Sequence, residues 1–256
     1  MPDILLETRA LSRSFGGLHA VKDVSFCVQQ GAIQAVIGPN GAGKTTLFNL
    51  IAGTIPPHGG DVLFKGRTIT SWKPHAIAAL GVARTFQTTK LFARMTVLEN
   101  VMVGRHSRTR SGFVAGMLNL PRTWREGREI ERDAAAILDD LALTKYARAT
   151  AGDLAFGVQR LVEFARALAM EPSLLLLDEP AAGLNIYETR ELAKLITRIR
   201  DKGVTCLVVE HDMSLVMDIS DNVVVLDQGR KIAEGAPRVI QRDPEVIRIY
   251  LGDGHA

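Results

Sequence analysis

Residues 38–45, Gly38-Pro39-Asn40-Gly41-Ala42-Gly43-Lys44-Thr45, are of types and spacing that can grip phosphate, and Thr46 follows them. Glycines let a main chain curl until successive N–H groups point inward at phosphate oxygens, and a helix starting there adds its positive end. At this spacing Lys44 reaches the β- and γ-phosphates of a nucleotide and the Thr45 hydroxyl ligates Mg²⁺. A glycine-rich turn alone would say little. Here the turn stands between an apolar run, Ala32–Ile37, and a helical one, Lys44–Ile51, as the chemistry requires.

A second group lies far along the chain. Leu174-Leu175-Leu176-Leu177 runs into Asp178-Glu179. Four consecutive leucines fit a strand covered on both faces, as in a parallel sheet. A carboxylate at the carboxyl end of such a strand is held rigidly beside the phosphate loop. Asp178 then holds Mg²⁺ through its water shell, and Glu179 polarises the attacking water as general base.

The elements that must position these groups are legible in outline. Strands are expected at Ile4–Leu6, Val21–Val28 and Ala32–Ile37, with Gly16-Gly17 and Gln30-Gly31 as turns. Two short strands flank Lys65-Gly66, a helix covers Pro74–Leu80, and a strand covers Val82–Phe86. From Gln87 to Pro172 the pattern is mostly helical: Val97–Val103, Ile130–Leu141 and Val158–Met170 carry apolar residues at three- and four-residue spacing. Strands then return at Leu174–Leu177 and Val204–Val209, with a helix at Tyr187–Arg200 between them and a closing pair, Val223–Leu226 and Lys231–Ala233, around Gln228-Gly229. Val246, Ile247, Ile249, Tyr250 and Leu251 pack a last helix. The pattern implies an α/β core, residues 1–86 and 173–256, interrupted by a helical insertion, 87–172.

Composition narrows the classes. The 256 residues suffice for a large core, and 46% hydrophobic with 23% charged residues is a globular balance. A net charge of +3 is too slight to point to nucleic acid. Cys27 and Cys206 lie far apart in apolar runs and read as buried reduced thiols, with no second Cys or His at zinc-ligand spacing. The opening MPDILLETRA carries acidic residues where a signal peptide would be basic. The longest membrane-like piece, Gly112–Leu120, is about half the ~20 residues a spanning helix needs.

With both motifs in place, the chain resembles an ABC transporter ATPase nearly end to end. The resemblance implies a P-loop NTPase fold: a RecA-like mixed-sheet core, an N-terminal antiparallel β subdomain and the inserted helical subdomain. It assigns further roles by position. Phe15 resembles the aromatic that stacks on adenine. Gln87, after Thr85-Phe86, resembles the glutamine that touches metal and water on a loop facing the membrane subunit. His211, in Val209-Glu210-His211-Asp212, resembles the switch histidine at the γ-phosphate. The other histidines (His19, His58, His75, His106 and His255) have no such context and read as solvated.

The signature loop departs from the family pattern. In place of Leu-Ser-Gly-Gly-Gln stands Leu154-Ala155-Phe156-Gly157-Val158, followed by Gln159-Arg160. In the family, this loop grips the γ-phosphate held by the opposite subunit. Gly157 and a helix from Val158 keep the main-chain donors, while Ala155 lacks the hydroxyl, a hydrogen bond to charge worth about 1.5–3 kcal/mol. Phe156 packing or Gln159 could compensate. Asn185, where many relatives have Asp, keeps polarity and loses charge.

Leu154-Ala155-Phe156-Gly157 with Gln159-Arg160, Pro180-Ala181-Ala182-Gly183-Leu184-Asn185 and Gly229–Gly235 together resemble the ATPases of branched-chain amino-acid uptake systems. That resemblance implies ATP and Mg²⁺ and a second ABC ATPase, identical or not. It also implies two integral membrane permease subunits, an external solute-binding protein and a place at the cytoplasmic face of the cell membrane. The alternatives are the ATPase of a lipid or polysaccharide exporter, a soluble non-transport ABC ATPase, and a regulatory module that binds ATP without hydrolysing it. The arginine-rich stretch Arg105–Arg128 reads as a solvated excursion or a contact with anionic headgroups or the membrane subunit.

Overall fold

The computed structural model describes residues 3–85, 91–105 and 121–251, leaving aside the side chains of 121–126 and 251. Gln87, Phe86, Gly112–Leu120, most of the arginine-rich stretch, the Trp124 side chain, His106 and His255 lie outside what is described. The chain divides into two compact units, residues 1–87 with 173–256, and residues 88–172.

The first unit holds both sheets. Strands β1 (Ile4–Phe15), β2 (Leu18–Gln29), β4 (Gly59–Phe64) and β5 (Arg67–Thr68) form an antiparallel sheet in the order β2-β1-β4-β5. The second sheet has the order β10-β9-β3-β8-β7-β6, built from β3 (Ile33–Ile37), β6 (Val82–Arg84), β7 (Leu174–Asp178), β8 (Thr205–Val209), β9 (Asn222–Asp227) and β10 (Arg230–Gly235). β9, β3, β8, β7 and β6 run parallel and β10 runs antiparallel to β9, so the sheet is mixed. The fold is thus α/β, with an antiparallel sheet beside a mixed one, as the sequence implied.

Every residue of β3, β7 and β8 is buried. This is why their sequences are unbroken apolar runs rather than alternating ones. Helices α1 (Lys44–Ile51), α2 (Pro74–Ala79), α6 (Ile186–Asp201), α7 (Met213–Ile219), α8 (Pro237–Ile240) and α9 (Pro244–Leu251) complete the unit. Leu47, Phe48, Leu50 and Ile51 of α1 enter a core with Val36, Leu176, Leu207 and Val224. Each such side chain contributes about 1.5–3 kcal/mol on burial. In α9, Val246 is buried, Tyr250 packs on the cluster around Ile37 and Val225, and Ile247 faces solvent.

Several elements are longer than their patterns suggest, β1 and α6 among them. β1 runs to Phe15 rather than Leu6, through a register shift between Thr8 and Leu11 where Ala10 takes φ 45°. Such a bulge breaks the alternation from which a strand is read. α6 starts at Ile186 because Asn185 caps it: the Asn185 side chain accepts from the Glu188 N–H, and Glu188 accepts from the Asn185 N–H.

The second unit contains helices α3 (Val97–Arg105), α4 (Pro121–Asp140) and α5 (Phe156–Leu168). Val101, Leu138, Val162 and Phe164 are buried. Arg105 pairs with Asp133 at 2.8 Å and with Glu171.

Candidate nucleotide site

The site is built at the carboxyl ends of the parallel strands. β8 lies between β3 and β7, with Val36 opposite Val209 and Val209 opposite Asp178. The chain leaving β3 becomes the glycine loop, and the chain leaving β7 becomes Glu179. Open parallel sheets bind ligands at such ends.

The loop curls because two glycines permit close main-chain approach. A Cβ on Gly38 (φ 153°) would meet the Leu226 carbonyl oxygen at 2.2 Å, and one on Gly43 (φ 100°) would meet that of Ala20 at 2.1 Å. Gly43 also caps α1 without a side-chain bond, so the first turn of α1 keeps its N–H donors for a ligand. The Lys44 ammonium is buried and donates to the Gly38 and Pro39 carbonyls at 2.7 and 2.9 Å. Burial pulls its pKa down, and the nearby Glu179 and Asp178 carboxylates oppose that.

A cavity of about 770 Å³ opens over the loop. It brings together Phe15, residues Asn40 to Thr46 and Glu179. Phe15 stands half exposed at the tip of the β1–β2 hairpin, and the Arg13 guanidinium lies 5.0 Å from its ring centroid. His19, Lys22, Gln228 and Arg230, to which the sequence assigned no part in the site, also line it. The β9–β10 turn places the last two. Gln228 and Gly229 both have positive φ, a hairpin-turn geometry, and Gly229 receives Lys22 N–H at 2.7 Å while donating to the Ala42 carbonyl at 3.1 Å. The turn therefore fastens the antiparallel sheet to the phosphate loop. The dipeptide was legible as a turn, but its docking was not. His19 is exposed, as are His58 and His75, yet its ring bonds Ser14 Oγ at 2.8 Å on the cavity wall.

Asp178 is 2% exposed. Its Oδ2 accepts from Arg84 Nη2 at 2.7 Å, and Arg84 Nη1 donates to Asn49 Oδ1 on α1 at 2.8 Å. Asp178 Oδ1 is buried and has no hydrogen-bond partner among the described residues. A buried acceptor left open within electrostatic reach of Lys44 on the loop suits a hydrated cation, so the residues present fit Mg²⁺. Among the described residues no cluster of three His, Cys, Asp or Glu side chains could hold a metal alone. Mg²⁺ characteristically takes one or two carboxylates plus substrate phosphates, which needs no such cluster.

Glu179 takes φ 46°, and its N–H donates to the Val209 carbonyl at 2.9 Å. His211 sits past the end of β8 with its side chain 59% exposed. Between them in space is Glu210, fully buried, which the sequence reading left without a role. Burial pushes its carboxyl pKa up, against main-chain N–H bonds from Ala181, His211 and Asp212.

In the second unit, α5 starts at Phe156, two residues earlier than expected, with Ala155 as a cap that lacks a side-chain bond. Val158 and Gln159 both donate to the Ala155 carbonyl, which leaves the Phe156 and Gly157 N–H groups as outward donors of the first turn. Gln159 Nε2 bonds the Leu154 and Gly152 carbonyls at 2.8 and 3.3 Å. Its amide is thus spent on fixing the loop. Phe156 is half exposed under the Arg160 guanidinium, which pairs with buried Glu163 at 3.1 Å. Of the thiols, Cys206 is buried and its pKa is pushed up to about 12 by that burial, whereas Cys27 is only half-buried, contrary to expectation.

Comparison with known proteins adds an independent line. Residues 21–182 match the ABC transporter family, and residues 230–256 match the branched-chain amino acid ATP-binding cassette transporter family. The chain is 45% identical over 250 residues to the high-affinity branched-chain amino acid transport ATP-binding protein BraF of Pseudomonas aeruginosa, covering 97% of this chain and 98% of that one. It is 43% identical over 254 residues to the corresponding LivG protein of Escherichia coli K12, covering 99% and 100%. Among solved structures, a nucleotide-free ATP-binding cassette from an ABC transporter superposes with TM-score 0.85 at 33% identity, covering 98% and 100%. The ADP conformation of an ATP-binding cassette of an ABC transporter gives TM-score 0.85 at 32% identity, covering 98% and 99%.

Proposed function

The chain belongs to the ABC transporter ATPases, and from that premise we propose that it energises an importer of branched-chain or other hydrophobic amino acids. It binds and hydrolyses ATP as one of two ATPases, identical or not. The complex adds two integral membrane permease subunits and an external solute-binding protein. Among the described residues no helix is long and apolar enough to cross a membrane. In this reading the chain works peripherally, at the cytoplasmic face of the permease pair, as befits the ATP-binding component of a transport system.

The observation that carries this reading is one cavity with a main-chain phosphate cradle at its floor, Phe15 at one side and Glu179 at another. Phe15 stacks on the adenine. N–H groups of Gly41 to Thr46 hold the phosphates, and Lys44 leaves the Gly38 and Pro39 carbonyls for the β- and γ-oxygens. Asp178, the Thr45 hydroxyl and Gln87 would hold Mg²⁺, which when bound would neutralise phosphate charge. Glu179 orients the attacking water and takes its proton, while Lys44 and His211 stabilise charge spreading over the γ-phosphoryl group. The outward N–H groups of Phe156 and Gly157 grip the γ-phosphate bound by the partner ATPase, so closure of the pair completes the site. The loop at Gln87 hands the motion to the permease.

The test is Glu179→Gln in the assembled transporter. ATP binding stays within about twofold, and phosphate release falls roughly 10²–10⁴-fold, the range of a lost general base. A variant that hydrolyses at the native rate removes Glu179 from the chemistry.

A further inference from the structure

We propose that Glu210 is a positioning residue that clasps the general-base turn to the switch-histidine turn, so that the two move as one body. This rests on the roles proposed above for Glu179 and His211; the clasp itself is visible in the geometry.

β7 and β8 are neighbours with Asp178 opposite Val209, so Glu179 and Glu210 are the first residues past each strand. Two bonds fasten the turn after β7 to the end of β8. The Glu179 N–H donates to the Val209 carbonyl at 2.9 Å, and the Ala181 N–H donates to Glu210 Oε1 at 2.7 Å. The other carboxylate oxygen serves the opposite turn: Glu210 Oε2 accepts from the His211 N–H at 3.1 Å and, more loosely, from the Asp212 N–H at 3.4 Å. A single side chain therefore bridges main-chain donors two residues beyond Glu179 and at His211 itself.

The surroundings explain why a carboxylate and not an apolar residue fills this place. Glu210 is fully buried, and among the described residues the one basic group within salt-bridge range is His211 Nδ1, at 3.8 Å. A carboxylate buried without a strong cation is costly unless both oxygens are hydrogen-bonded, and here both are. Its function is to collect N–H groups of turns that are too tight to satisfy them internally. The Glu179 backbone, at φ 46°, is a strained conformation for a non-glycine residue, and such strain persists only where neighbours over-determine it. Beyond the clasp each turn runs directly into a capped helix: Asn185 caps α6 and Asp212 caps α7, accepting from Ser214 and Leu215 N–H. The two short turns are thus held at both ends and joined in the middle. Displacement of the His211 turn by a bound phosphate pulls on Ala181 and re-aims Glu179.

The experiment compares Glu210→Gln, Glu210→Ala and Ala181→lactic acid in the full chain assembled with its membrane subunits. The lactic-acid ester deletes only the Ala181 N–H. Glutamine retains one acceptor and sets an NH₂ group against main-chain donors, so it keeps half the clasp. The expected result is a fall in kcat of about 100-fold for alanine and roughly 10-fold for glutamine and the ester, with KM for ATP within about twofold. Amide exchange quickens together in peptides spanning 179–185 and 210–214. If glutamine and the ester both keep native kcat, or if KM rises while kcat is unchanged, the clasp has no part in aligning Glu179. Exchange that quickens on one turn alone also overturns it. A native complex that releases no phosphate would instead refute the ATPase reading, a separate outcome. If alanine fails to fold, glutamine and the ester still decide.

Discussion

Replacing Arg84 by methionine cuts the support beneath Asp178, and the structure sets the size of the effect. The Arg84 side chain is 13% exposed and that of Asp178 2%, and their 2.7 Å bond is the one hydrogen bond the Asp178 carboxylate makes among the described residues. Oδ1 already lacks a partner, so among the described residues methionine leaves a buried carboxylate with no donor. Removing one member of a buried pair costs about 3–5 kcal/mol, because the survivor is stranded rather than because the pair itself is strong. Asn49→Ala, which only frees the second arm of the guanidinium, costs about 1 kcal/mol. The assay is urea unfolding followed by Trp72 fluorescence in a Trp124→Phe background. Trp72 packs against the core cluster of the same unit as Asp178, so its emission reports that unit. The double variant Arg84→Met with Asp178→Asn removes the stranded charge and is expected to recover most of the loss. A single Arg84→Met variant within about 1 kcal/mol of the native protein would refute the reasoning, as would a double variant no more stable than the single one.

Two further outcomes can be checked. Ala155→Ser supplies the missing cap of α5 and is expected to stabilise the helical unit by about 1 kcal/mol. In a Glu179→Gln background its hydroxyl adds a bond to a charged phosphate oxygen, so ATP-driven pairing tightens about tenfold or more by analytical ultracentrifugation. An unchanged pairing constant would remove the signature hydroxyl from the argument. For the thiols, burial raises the Cys206 pKa from 9.0 to about 12. Folded Cys206 then carries about a thousandfold less thiolate than an unperturbed thiol well below pH 9, and Cys27 is alkylated first by iodoacetamide. Because the folded pKa is the higher one, the contribution to stability is complete below pH 9 and is lost as pH rises toward 12, a slope that Cys206→Ala should flatten.

What the sequence determined by itself are the features fixed by local chemistry. The glycine loop, the leucine strand ending in Asp178-Glu179 and the helix after Lys44 were legible because burial on both faces and close main-chain approach each demand particular residue types. The Asn185 capping box was equally local, and its Asn-x-x-Glu spacing could have been read. Other features depended on elements brought together from distant parts of the chain. Nothing near Arg84 in sequence announces Asp178, 94 residues away, or Asn49 on another helix. Glu210 looks like one more acidic residue at a strand end until β7 and β8 lie side by side and deliver three N–H groups to it. The length of β1 was hidden for a related reason: its bulge is stabilised by partners on other strands, with Ala10 N–H donating to Ser25 Oγ at 2.7 Å. Local pattern reports which face a residue turns to the core. Which distant donor meets a buried acceptor is set only when the sheet order closes.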